Sequence, residues 1–254
     1  MARDWGVELQ DFIITHDDNI HEDAPVIKIS REDRTYDCMS LGNFSSIIGQ
    51  AKSRKSFLAT LFCCANLRGG LYEDAMLGLN SGGVVYVDTE QGKTHVQKIV
   101  RRVNTLVGVD KFTCYALRQY SPSDRVDAID FIVRNTIGLK ILVIDGIRDL
   151  IRDINSADES TMLVTRLMKW SGEFNIHIIA VLHQNPNDVK ARGHIGTEVQ
   201  NKSETVIQVK AGENGLSKVT CLFSRGLQFP EFLFRIEDGL PKIEGFDNYS
   251  DDVF

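Results

Sequence analysis

The chain has 254 residues, 43% hydrophobic and 25% charged, with a formal net charge of −6. That length suits one large domain with a sizeable core. The acidic balance excludes a global positive field of the kind that draws a protein to nucleic acid or acidic lipid. Five cysteines (Cys38, Cys63, Cys64, Cys114, Cys221), odd in number and without CxxC spacing, predict buried thiols in a reducing cytoplasmic compartment. The start, "MARDWGVELQDF", lacks a basic segment followed by an apolar core, so no secretion signal is expected, and no apolar run approaches a membrane span.

In chain order, residues 1–40 read as a polar extension with room for a short hairpin, Val26–Ile29 and Thr35–Cys38. Phe44–Ile48 is strand-like, and Lys55–Leu67 is helix-like with Phe57, Leu58, Leu61, Phe62 and Ala65 on one apolar side. "GVVYVD" (83–88) predicts a strand, His95–Val107 a helix and Thr113–Leu117 another strand. A helix over Asp124–Asn135 leads to "LKILVID" (139–145), and a helix over Thr161–Glu173 leads to "IHIIAVL" (176–182). Short apolar runs alternating with helices predict an α/β fold with a mostly parallel central sheet flanked by helices. "SETVIQVK", "LSKVTCLF" and "EFLFRIE", separated by turns such as "AGENG", predict antiparallel strands added at the C-terminal part. The core is thus expected over 41–245, followed by an acidic tail at 246–254.

Chemistry concentrates at strand ends. "IIGQAKSRKSF" (47–57) has the spacing of a phosphate-binding loop: Gly49, Lys55 and Ser56 match, and Arg54 stands where the second glycine is usual. Such a loop joins a strand to a helix so that backbone N–H groups converge on the anion. Residues 49–56 (Gly49, Gln50, Ala51, Lys52, Ser53, Arg54, Lys55, Ser56) would then cradle a nucleotide, with Lys55 reaching the β- and γ-phosphates and the Ser56 hydroxyl on Mg²⁺. Arg54 is expected at negative φ, where a Cβ costs nothing. The plain alternative is a basic solvated turn. Asp145 ends an apolar run, as the acid orienting magnesium does in nucleotide hydrolases, and Gly146 follows it, not a second acid. Asp88 and Glu90, on one strand face, supply the candidate base for the attacking water, with Glu90 nearer the mouth.

The order of these motifs resembles the RecA-like ATPases, and the compact layout is most similar to ring-forming helicases of plasmid RepA type and related ATPases of mobile elements. The resemblance covers about residues 40–245. It implies Mg²⁺ and ATP as cofactors, hydrolysis coupled to DNA translocation or unwinding, and a homo-oligomeric ring. It also implies a γ-phosphate sensor at Gln184, with His183 as the alternative, and a cation supplied in trans by Arg225. Where the family often has a lysine two residues before that arginine this chain has Phe223, with Lys218 as a substitute. Lys190, Arg192 and His194, in the glycine-containing stretch 183–204, are the candidate contacts for single-stranded DNA. Arg148 and Arg152 lie in an earlier loop that also carries acids. The competing reading is an ATP-gated assembly or regulatory protein with little motor activity.

Overall fold

The computed structural model describes residues 5–20, 22–72, 75–108, 110–185 and 191–245. The N-terminal part opens with a single helical turn, α1 (Trp5–Glu8), and a hairpin of β1 (Pro25–Arg31) and β2 (Arg34–Ser40). Next come β3 (Phe44–Gly49), α2 (Lys55–Arg68), and two short strands, β4 (Gly70–Leu71) and β5 (Met76–Gly78). The centre holds β6 (Gly83–Asp88), α3 (Lys93–Val107), β7 (Phe112–Ala116), α4 (Pro122–Asn135) and β8 (Leu139–Asp145). It continues through α5 (Ala157–Phe174), β9 (His177–His183) and α6 (Gly193–Lys202). The last four strands are β10 (Thr205–Ala211), β11 (Leu216–Ser224), β12 (Phe232–Glu237) and β13 (Leu240–Gly245).

Nine strands form one sheet in the order β13-β12-β11-β10-β3-β9-β8-β6-β7. From β10 to β7 every pairing is parallel, and β10 through β13 pair antiparallel, as the change in sequence character predicts. Apolar residues of α2 and α3 pack on one face, and those of α4, α5 and α6 on the other. Adjacent residues of the central strands divide between these layers: Ile47 belongs to the first and Ile48 to the second. Three helices (α3, α4 and α5) start earlier than apolar periodicity suggests, and for α4 and α5 local capping extends them. Ser121 accepts from the Asp124 N–H ahead of Pro122, and Ser156 accepts from the Glu159 N–H in a serine–glutamate capping pair.

The N-terminal hairpin is part of the core. β1 pairs with β5, forming a small sheet of order β2-β1-β5-β4. With the main sheet, this layer encloses α2, so Thr60, Cys63, Cys64 and Asn66 are buried along with the expected apolar side. Burial raises the Cys63 thiol well above its ordinary value and moves Cys64 up to about 12, so both stay protonated and inert.

His177 fastens the hairpin to the sheet. It is fully buried, and its Nδ1–H donates to the Ser40 carbonyl at 2.7 Å. Burial lowers its pKa to about 4. The unfolded chain therefore takes up a proton below about pH 6.5 that the folded chain refuses until about pH 4. Stability from this residue is complete above that window and falls through it as pH drops, by roughly 3 kcal/mol in all. Urea midpoints of wild type and His177→Gln should therefore converge from pH 7 to pH 4.5. A difference that stays constant with pH would assign the acid sensitivity elsewhere.

Candidate nucleotide site

All the parallel strands run the same way, so their C-terminal ends share one edge of the sheet. Register brings Gly49 level with His183, and Asp88 level with Asp145. The segment 49–56 runs from the end of β3 into α2, as a phosphate loop requires. A Cβ on Gly49 would lie 2.4 Å from both the Ser53 hydroxyl and the Val209 carbonyl oxygen, so the loop lies against β10 only because this residue is glycine. The edge opens into a cleft of about 590 Å³, lined by residues 51–57, Glu90, Asp145 and His183 with α3 along one wall.

The Lys55 ammonium is buried, and donates to the carbonyl oxygens of Gly49 and Gln50 at 3.0 and 2.9 Å. Burial lowers its pKa, and Asp145 and Glu90 oppose that shift. Ser56 donates to Asp145 Oδ2 at 2.5 Å, and the Tyr86 hydroxyl donates to the same oxygen at 2.5 Å. Tyr86 was not singled out from the sequence, although a hydroxyl within "GVVYVD" was its signal. Thr89 was also missed. Its hydroxyl donates to the Gly146 carbonyl at 2.8 Å and accepts from the Gly146 N–H at 3.0 Å, which locks the ends of β6 and β8 together. The Ser56 and Asp145 oxygens converge beside the loop and are hard donors of the type that could hold Mg²⁺.

Asp88 and Glu90 take different places, because β6 ends at Asp88 and the two do not share a strand face. Asp88 is fully buried, and its Oδ1 accepts from the N–H groups of Glu90 and Gln91 at 3.0 and 2.7 Å. Burial raises its pKa to about 6. It is a turn-capping acid. Glu90 faces the cleft with its side chain 58% exposed, 3.4 Å from His183 Nε2. Hydrogen bonding from His183 is the main cause that lowers its pKa, so it is ionised at neutral pH.

Arg54 departs from the expected negative φ. Its backbone is left-handed, at φ 71° and ψ 26°, where a side chain costs about 1 kcal/mol or more. Lys52 is also left-handed, at φ 64°. The position thus has the conformation that glycine ordinarily supplies.

At the end of β9, His183 and Gln184 separate. His183 enters the cleft, its Nδ1 3.4 Å from the Lys55 ammonium and its Nε2 facing Glu90. Gln184 accepts instead from Gln208 Nε2 of β10 at 3.0 Å. Of the two sensing candidates, the structure brings His183 to the lysine and the glutamate.

Part of the glycine-containing stretch that carries Arg192 and His194 is helical, although its glycines and polar residues gave no helical signal. Gly193–Lys202 forms α6, with Ile195 and Val199 buried. Gly193 has φ +81°, and a Cβ there would meet the Ile154 carbonyl oxygen at 2.7 Å, so this glycine serves close packing and not mobility. Arg192 caps α6 and His194 lies in its first turn, both exposed. Lys190 and the tail at 246–254 lie outside the described residues. Arg225 follows β11 at the opposite edge of the sheet, level with the start of β3. It donates to the Lys202 carbonyl at 3.1 Å and to Asn43 Oδ1 at 3.5 Å. A strand the length of β3 separates the two edges by roughly 20 Å, so Arg225 does not serve its own cleft. Lys218 lies toward the loop edge of β11 and pairs with Glu231 at 2.8 Å.

A family model described as an AAA domain matches residues 19–188. The crystal structure of the RadB recombinase is similar in fold, with a TM-score of 0.57 and 17% identity over 80% of this chain and 91% of that chain. No curated protein sequence matches.

Proposed function

Because the chain belongs to the AAA-domain family and has a RecA-like P-loop ATPase fold, we propose that it hydrolyses Mg²⁺-bound ATP in the cleft at the C-terminal edge of its sheet. The observation that carries this reading is the meeting of Lys55, Ser56, Asp145, Glu90 and His183 around one strand–loop–helix junction. The loop N–H groups and the Lys55 ammonium receive the phosphates. On nucleotide entry that ammonium exchanges two loop carbonyls for phosphate oxygens, and this polyanion offsets the burial that lowers its pKa. Ser56 and Asp145 would hold Mg²⁺, which would neutralise charge on the phosphate oxygens. Glu90 takes the proton of the attacking water. His183, accepting from Lys55 at Nδ1 and donating from Nε2 to Glu90, links the phosphate-binding cation to the base, and these contacts support it as the residue that would register the γ-phosphate. Tyr86 holds the Asp145 carboxylate, and Thr89 ties the ends of β6 and β8 to one another.

Coupling to single-stranded DNA rests on Arg192 and His194, exposed at the start of α6 directly after the His183 strand, together with Lys190 of the preceding segment. The RepA-type ring, with Arg225 reaching a neighbour's cleft, belongs to the same reading. Single-stranded DNA should stimulate steady-state ATP hydrolysis, and Lys190→Ala with Arg192→Ala should weaken binding and flatten its salt dependence. Each lost phosphate contact lowers the slope of log K against log salt by about 0.7. An unchanged slope would remove these residues from the interface. ATP binding with turnover that DNA never stimulates would favour an ATP-gated assembly protein.

A further inference from the structure

Arg54 lines the nucleotide cleft, and its guanidinium is held by hydrogen bonds on the far side of the loop. It reaches across to the turn between β10 and β11, 158 residues further along the chain. There Nη1 donates to the carbonyl oxygen of Leu216 and to the Ser217 hydroxyl at 3.0 Å, while both terminal nitrogens approach the Gly212 carbonyl oxygen at 3.5 Å. The receiving turn is closed by its own backbone, with the Gly212 N–H donating to Leu216 at 2.9 Å and the Leu216 N–H to Glu213 at 2.9 Å. A planar fork meeting several acceptors is the geometry arginine provides and lysine does not. Partial burial lowers the Arg54 pKa, and the acceptor oxygens stand in for the water it gives up.

We propose that Arg54 is a positioning residue for the phosphate loop: it holds the left-handed junction before α2 by tying it to the β10–β11 turn. A glycine at this point reaches the same backbone angles freely but leaves the loop unattached. The arginine is disfavoured at those angles, yet its tether makes the strained junction the resting state. The Arg54 carbonyl accepts from the N–H groups of Phe57 and Leu58 at 3.0 and 3.3 Å, so the tether sets the first turn of α2, from which Lys55 and Ser56 project. The loop is thereby pre-shaped for phosphate, and its geometry depends on the first antiparallel strands of the C-terminal part. This inference rests on the ATPase reading of the same cleft.

The test compares nucleotide affinity, by titration with a fluorescent ATP analogue, in wild type, Arg54→Ala, Arg54→Gly and Ser217→Ala, with melting temperatures measured in parallel. Arg54→Ala keeps the steric cost of a Cβ and loses the tether, so its affinity should fall about tenfold or more. Arg54→Gly frees the backbone and should stay within about threefold of wild type, while hydrogen exchange at 212–217 becomes faster in both variants. Ser217→Ala should weaken binding about twofold alone and add nothing to Arg54→Ala, because the two share one contact. Equal loss in Arg54→Gly and Arg54→Ala would overturn the proposal and make the guanidinium a direct ligand of the nucleotide. Wild-type affinity in Arg54→Ala would overturn it as well. A wild-type protein that binds no ATP would fail the ATPase reading itself, whereas binding by wild type with no loss in Arg54→Ala fails the tether alone.

Discussion

Lys55→Ala should abolish ATP turnover, with at least about a 100-fold loss of phosphate release, while the protein still melts cooperatively. The two parts of this expectation share one cause. The ammonium is buried at the start of α2, and its charge is carried there against a desolvation cost that lowers its pKa. In the resting protein its partners are two loop carbonyls and His183 Nδ1, which water can reach once the side chain is gone. Removing it therefore costs the fold little and costs the bound phosphates their principal cation. Normal phosphate release by Lys55→Ala would rule out residues 49–56 as the phosphate loop. The same variant tests assembly. If Arg225 acts on a neighbour's cleft, mixing inactive Lys55→Ala with inactive Arg225→Ala should restore part of the activity, because some interfaces then pair an intact loop with an intact arginine. Mixed oligomers that remain inactive, or an Arg225→Ala protein with wild-type turnover, would end that role for Arg225 and leave Lys218 as the residue to test.

Glu90→Gln should bind ATP as wild type does and hydrolyse it about 100-fold or more slowly. The amide keeps an oxygen to accept from His183 Nε2, so the geometry of the site is preserved while the capacity to take a proton is lost. Asp88→Asn serves as the internal comparison. Asp88 works through an oxygen that caps two N–H groups, and asparagine retains such an oxygen, so turnover should stay within a few-fold of wild type. Single-turnover measurement separates the cases from product release. Full hydrolysis by Glu90→Gln together with loss in Asp88→Asn would move the base two residues back along the chain.

Much of this site could be read from local sequence. A strand followed by a loop with Gly49, Lys55 and Ser56, and a second apolar run ending in Asp145, are patterns carried by neighbouring residues. Parallel strand direction is enough to bring such strand ends to one edge. The order of elements and the change to antiparallel pairing after residue 205 were legible for the same reason, since side-chain periods of 2 and 3.6 are local properties. The choice between His183 and Gln184 was not. Successive residues leave a strand on opposite sides, and only the strands around β9 (β3 and β8 beside it, β10 beyond β3) decide which side faces the cleft. The sequence also could not show that α2 is enclosed by a second sheet, because β1 meets β5 across almost fifty residues. The helix at Gly193–Lys202 likewise came from burial of Ile195 and Val199 in a layer that α5 completes. Arg54 marks the limit most sharply. Its neighbours predict a helix entry at negative φ, and the left-handed angle is held by acceptors on a turn that only the folded chain brings within reach, because hydrogen bonds between distant segments leave no periodic signal in the sequence.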